Sequence, residues 1–264
     1  MTFQPYVPTG GLAGWRFLQN TLETQKAAFA KSPVVQRDLD YFAEKIGTIT
    51  SAKDLVSDFR LLSVALGAFG LSDDVGNKFL IRKVLEEGTI DPEALSNRLS
   101  DKRYRNLAKA FGFGDFPTPN TVLSDFPAKI AAKYADQKFE QALGQSDNTM
   151  RLALNARREL ETIGASSTSN RTKWFTIMGT PPLRQVFEGA LSLPASFGTL
   201  EIDRQLKVFE ERTEAAFGTS DVRELAGGGN IERLLDRYTA IAGLTGSSSG
   251  SGVTSPALVL LRGY

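Results

Sequence analysis

The stretch Ser51-Ala-Lys-Asp-Leu-Val-Ser-Asp-Phe-Arg-Leu-Leu-Ser-Val-Ala-Leu-Gly-Ala-Phe-Gly70 decides the fold class. Ser51 and Asp54 have the spacing of a helix-capping box, with aspartate in the acidic place. Beyond them Leu55, Val56, Phe59, Leu61, Leu62, Val64, Ala65, Leu66, Ala68 and Phe69 occupy nearly every side of a helix. A helix that is apolar all round has no face to give to water and must be enclosed by its neighbours. Only Asp54, Ser57, Asp58 and Arg60 mark a polar end, so the reading is one hub helix over 51–69, stopped by Gly70.

Outward from this hub, helical periodicity recurs and no run of strict polar and apolar alternation appears. On the N-terminal side a helix is expected from Gly14 to Lys31, with Trp15, Leu18, Leu22 and Phe29 on one stripe, and another from Pro33, capped by Ser32, to Ile46. On the C-terminal side, Ser72-Asp73-Asp74 opens a helix reaching Glu87, closed by Gly88. Asp91-Pro92 caps a short helix to Leu99, and Ser100-Asp101 starts a basic one through Phe111. Gly112, Gly114, Pro117 and Pro119 break the chain over 112–123. Helices over 127–143 and 147–163 follow, separated by Gly144 with Ser146 as cap. After the polar run 165–170 come segments near 170–178, 182–192, 200–217 and 230–242. The fold class is all-α, a multi-helix globular bundle.

The expected organisation is an N-terminal helical unit over 1–115, connecting helices over 116–166 and a C-terminal helical unit over 167–244. A flexible Ser/Gly tether with an apolar tail fills 245–264. Ala68-Phe69-Gly70 followed by Lys83-Val-Leu-Glu-Glu87 resembles Ser196-Phe197-Gly198 followed by Lys207-Val-Phe-Glu-Glu211. Alignment requires a four-residue shortening, so a degenerate repeat and coincidence both stay open.

Composition removes several functional classes. The chain has no cysteine and no histidine, which excludes disulfides, thiolate nucleophiles and imidazole chemistry. With 31 basic and 30 acidic residues there is no global field to draw it to nucleic acid. No apolar run is long enough to span a membrane. The start, Met1 to Gly14, lacks the basic and apolar regions of a secretory signal. The expected location is the cytoplasm, or outside it by a route that cleaves no signal.

The remaining clusters have structural explanations. Ser72-Asp73-Asp74 lacks the alternating ligands and closing glutamate of a calcium loop and reads as a cap. Asp54 and Asp58, four apart, would share one helix face, where partnership with Arg60 or another arginine is the better account than paired catalytic carboxylates. Gly227-Gly-Gly229 is followed by no Lys-Ser or Lys-Thr pair, so it reads as a turn and not a phosphate loop. Lys102, Arg103 and Arg105 form a basic face; Arg157-Arg158, beside Glu159 and Glu161, form a salt-bridged one. No catalytic, cofactor-binding or metal-ligating residue is assigned. Two segments favour interaction: the Pro- and Gly-rich start, carrying Phe3, Tyr6 and Trp15, and the tethered patch containing Leu258, Val259, Leu260 and Leu261. For both, folding back onto the same chain is the alternative.

Asp54–Leu71, with Phe79–Leu85, Leu99–Tyr104 and Ala110–Phe113, resembles the bacterial family catalogued as domain of unknown function 1217, most specifically over residues 35–115. Trp15 and the stretch from Pro181-Pro-Leu183 through Gln205 are similar to members as well. The resemblance implies a helical protein whose genes tend to lie among flagellar genes, and it brings no catalytic residues. The leading expectation is a non-enzymatic helical accessory or structural protein of flagellar assembly or motility, with flagellar components as protein partners, and with export by the flagellar route in view. A cytoplasmic scaffold or chaperone-like adaptor comes second, and a carboxylate-dependent hydrolase or lyase third.

Overall fold

Asp58 splits the apolar run. In the computed structural model, which describes residues 3–248, Ala52–Ser57 and Phe59–Ala68 are separate helices, and Asp58 between them has an extended backbone at φ −93° and ψ 107°. Each helix has its own cap. The Ser51 hydroxyl oxygen accepts the Asp54 amide at 3.1 Å, and Asp58 Oδ1 accepts the amides of Arg60 at 2.9 Å and Leu61 at 3.0 Å. The single hub helix over 51–69 is thereby corrected: the carboxylate competes with the helix for its own backbone and wins, as aspartate does at helix starts. Asp58 Oδ2 also accepts the Tyr41 hydroxyl at 2.6 Å, while Arg60 lies 4.0 Å over the Tyr41 ring and donates to the Arg37 carbonyl. Asp54 and Asp58 therefore do not form a carboxylate pair. Phe59, counted above in the apolar face, is 61% exposed at the new N-terminus.

Among the described residues there are fourteen α-helices and no strand: α1 (Gly11–Ala30), α2 (Pro33–Lys45), α3 (Ala52–Ser57), α4 (Phe59–Ala68), α5 (Lys78–Glu87), α6 (Leu95–Arg98), α7 (Lys102–Phe111), α8 (Phe126–Ser146), α9 (Asn148–Ala165), α10 (Asn170–Gly179), α11 (Pro181–Ala190), α12 (Ile202–Phe217), α13 (Val222–Leu225) and α14 (Asn230–Ser248). The all-α reading holds. None of these helices is long and apolar enough to cross a membrane. The described chain forms two compact units, residues 3–5 with 22–142 and residues 6–21 with 143–248, so that α1 and α8 each change unit within their length. Residues 6–21, grouped by sequence with the first unit, belong to the second.

In the first unit α4 is the buried element. Leu61, Leu62, Ala65 and Leu66 are inaccessible to solvent, and α2 and α3 pack on the helix. Gly67, in its interior, weakens a helix by about 1 kcal/mol relative to alanine. It is there because a Cβ would stand 2.7 Å from the Tyr134 ring of α8. The Tyr134 hydroxyl then reaches Asp38 on α2 at 2.9 Å, and burial and that bond push its pKa well up. Phe29 against Phe139, and Phe111 against Phe126, close the core edge-on. Ser72–Asp74 form a separate 3-10 turn, so α5 begins at Lys78, six residues later than expected. Asp74 accepts the Asn77 side-chain amide, and burial with the neighbouring Asp74 carboxylate pushes the Tyr104 pKa up to about 12.

In the second unit Trp174, Phe187, Phe197 and Phe209 make one aromatic cluster, with Phe197 4.8 Å from Phe209 and Trp174 stacked on Phe209 at 6.0 Å. Gly144 and Ser146 lie inside α8, and Asp147 caps α9 by accepting the Met150 amide at 3.0 Å. The polar run after α9 is a tight connection. Ser166 bonds back to the Ile163 carbonyl, buried Lys173 donates to the Gly164 carbonyl at 2.9 Å, and Ser169 caps α10. Helix α14 continues through Ser248, past the expected start of the tether at 245. The rest of the tether and the patch Leu258, Val259, Leu260 and Leu261 lie outside the described residues.

Asp58→Ala should destabilise the first unit by about 1–2 kcal/mol through loss of the cap, with Asp58→Asn retaining most of it. Burial raises the Asp58 pKa, but the Tyr41 hydroxyl and the Leu61 and Arg60 amides outweigh it and hold the carboxyl below its ordinary 3.8. The stabilisation is complete above that value and is lost as pH falls through the lower folded one. Both tryptophans lie in the second unit, so circular dichroism with urea, not tryptophan fluorescence, is the readout. Equal stability of Asp58→Ala and the parent at neutral pH would contradict the assignment.

Candidate functional site

The Pro- and Gly-rich start folds back over the first turn of α1. A Cβ on Gly14 would sit 1.8 Å from the Thr9 carbonyl oxygen and 2.9 Å from Val7 Cγ1, so only glycine admits the preceding strand of chain at that distance. This fixes Tyr6, whose ring meets Phe17 edge-on at 6.4 Å. Tyr6 is 63% exposed, and Phe17 and Leu12 are exposed on α1. Where α1 begins, Gly11 meets Gly243 of α14, with a Cβ on Gly11 only 3.2 Å from the Gly243 Cα. Leu12 and Leu244, the latter 75% exposed, flank that crossing.

A charged cluster, part-exposed at Arg16 and Glu232, is shared by α1, α9 and α14. Arg16 pairs with Asp236, and both Gln19 and Arg157 bond to Glu232. The Arg157 guanidinium stands 5.5 Å from the centre of the Trp15 ring. Trp15 is fully buried, and its indole N–H and Asp236 Oδ1 have no hydrogen-bond partner among the described residues. Of the candidates read from sequence, Tyr6 is therefore at the surface and Trp15 is an anchor in the core of the second unit. Phe3 is half-buried and belongs to the first unit.

Sequence reasoning missed Leu12, Phe17, Leu244 and the charged cluster. One signal was available: Glu232 and Asp236 are like charges four apart on one helix, an arrangement that costs free energy unless cations are supplied from elsewhere. Arg16 and Arg157 supply them. The exposed leucines and phenylalanine had no such signal, since single apolar surface residues are common.

Elsewhere in the second unit a concavity of about 470 Å³, broadly open to solvent, is lined by Glu161, Gly164, Ser166, Arg223 and Gly227 among others. It takes in the first residue of the Gly227-Gly-Gly229 turn. Its serine and lysine neighbours are engaged in closing α9, as described above, which is a structural duty.

Burial raises the Asp236 pKa; Arg16 and Arg157 lower it, Glu232 raises it further, and the balance is upward. The folded state thus holds this proton more tightly than the unfolded one, and stability falls as pH rises from the ordinary carboxylate value of 3.8 through the folded one. Asp236→Asn should therefore be at least as stable as the parent at neutral pH, with the difference shrinking in acid. Thermal unfolding followed by tryptophan fluorescence across pH reads this directly, and a marked loss of stability in Asp236→Asn at neutral pH would contradict it.

Residues 68–227 match the family model described as Protein of unknown function (DUF1217). No curated protein matches the sequence. The crystal structure of a protein from Agrobacterium tumefaciens is similar to this chain with a TM-score of 0.75 at 28% identity, covering 92% of this chain and 99% of that one. The family match begins at the last residue of α4 and runs through most of the second unit; it reaches beyond residue 115 but leaves out residues 35–67, and with them most of the Asp54–Leu71 stretch that carries the sequence resemblance. With more than half of its length matched, the chain belongs to the DUF1217 family.

Proposed function

We propose that this chain is a helical accessory or structural protein that acts by binding other proteins, without catalysis, and that its setting is flagellar assembly or motility. The observation that carries the binding reading is the exposure of Tyr6 and Phe17, in ring contact, and of Leu12 and Leu244 beside the Gly11–Gly243 crossing. Large apolar side chains held at a surface by a rigid scaffold are the usual composition of a protein contact. The scaffold is rigid here for stated reasons: Trp15 and Leu18 are buried, and the Arg16, Gln19 and Arg157 contacts tie α1 and α9 to α14.

The non-enzymatic reading draws support from the carboxylates that were the best catalytic candidates. Asp54 is bonded to the Ser51 hydroxyl, and Asp58 is occupied by two amides and the Tyr41 hydroxyl. Both are engaged in building helix ends. The flagellar setting draws on the gene neighbourhood implied by the family resemblance, which is an association and not a physical warrant.

Deleting the gene in the organism that encodes the chain should reduce swimming and filament assembly, and normal swimming would overturn the flagellar setting. Complementation with a Tyr6→Ser, Phe17→Ser, Leu244→Ser variant, altered only at the surface, should fail to restore motility while the purified variant keeps its helical content. Full rescue by that variant would remove the patch from the function.

A further inference from the structure

Helices α1 and α14 run antiparallel. Gly11 meets Gly243, Arg16 pairs with Asp236 and Gln19 bonds to Glu232, so α14 runs out over the first turn of α1. Leu244, in the closing turns of α14, is exposed there beside Leu12. The exposed side of α1 continues from Leu12 through Ala13, which is exposed and stands four residues before Phe17 on the same helix face. Phe17 in turn meets the Tyr6 ring. Leu244, Leu12, Ala13, Phe17 and Tyr6 therefore follow one another around the start of α1, while Arg16 on that side is held by Asp236.

Residues 249–264 lie outside the described part of the chain, and they leave from this place. α14 ends at Ser248, four residues past Leu244, which is about 6 Å along a helix axis. The stretch 249–256 follows, and then Ala257-Leu-Val-Leu-Leu261. At about 3.3 Å per residue a stretch of that length can span up to about 26 Å. That exceeds the breadth of two helices side by side at about 10 Å each, so the whole surface from Leu244 to Tyr6 is within reach. No charged residue lies between Arg237 and Arg262, so contact requires no ion of the segment to give up water.

We propose that the chain's own segment 257–261 docks on the Leu244, Leu12, Ala13, Phe17 and Tyr6 surface, and that a protein partner binds there by displacing it. A free peptide of this size gains too little to hold such a surface. A segment joined to it by a short connection meets it at an effective concentration on the order of millimolar, and the cost of closing the connecting loop grows only slowly with its length. Docking removes from water both the exposed side chains of α1 and α14 and the apolar run that follows them. A partner then finds the surface free only in the undocked fraction, and its apparent affinity falls by that fraction. The displacement step rests on the reading that this surface binds proteins; the docking itself does not.

The chain has no cysteine, so Arg262→Cys carries a single nitroxide label on the full chain. In proton–nitrogen spectra the amides of Leu12, Ala13, Phe17 and Leu244 should lose intensity beside that label. The same label on a chain with Leu258→Ser, Leu260→Ser and Leu261→Ser measures the broadening that tethering alone produces, and most of the loss at Ala13 and Phe17 should disappear there. Leu12→Ser with Phe17→Ser should release the segment in the same way, with circular dichroism showing unchanged helical content. High salt should leave the contact in place, because no charge takes part in it. Equal broadening with the apolar and the serine tails, broadening centred elsewhere on the chain, or loss of the contact in high salt would overturn the proposal. So would broadening of the same size when label and isotope are on separate, mixed chains, which would put the segment on a second copy. Motility separates the two readings. A docked segment with full rescue by the Tyr6→Ser, Phe17→Ser, Leu244→Ser chain ends the binding reading and the displacement step with it, whereas an undocked segment with failed rescue ends this proposal alone.

Discussion

A helix with apolar side chains on all sides loses free energy wherever water reaches it, and α4 is the element that imposes this condition on the first unit. α2 and α3 pack on it, and the ring of Tyr134 fills the space that a side chain at Gly67 would take. Emptying one such position, as Leu66→Ala would, costs on the order of 2–5 kcal/mol in a packed core. The polar atoms at the edge serve the same enclosure: Asp58 starts the helix, Tyr41 holds Asp58, and Arg60 covers Tyr41. A short chain of contacts thus converts an apolar segment into a fixed point of the fold.

The fold class was legible because helical periodicity is a local property, and the caps at Ser51 and Asp101 act as their sequence positions indicate. What escaped the sequence was settled by competition or by distance along the chain. Asp58 could continue a helix or begin one, and the partner that decides the matter, Tyr41, lies 17 residues away. Gly144 stays helical with Arg151 packed over it, a Cβ there meeting Arg151 Cδ at 2.3 Å. Trp15 was readable both as part of the α1 stripe and as an interaction residue, and the glutamate that positions Arg157 over it lies far along the chain on α14. The surface patch was half legible: Tyr6 stood out among prolines and glycines, whereas Leu12 and Leu244 gained meaning only when Gly11 and Gly243 met.

The two units differ in how their charges are held. In the second, Arg16, Arg157, Glu232 and Asp236 pair with one another across α1, α9 and α14. In the first, Arg103 of α7 pairs with Asp101, while Lys102 and Arg105 bond to neutral oxygens of Asn97 and Leu99.

Amide hydrogen exchange bears most directly on the enclosure of α4. The amides of Leu62 through Ala68 should exchange only when the first unit unfolds as a whole, with protection equal to its global unfolding free energy and well above that of the short α6. Exchange of the α4 amides at the rate of α6, by local opening under native conditions, would contradict the placement of this helix at the centre of the unit.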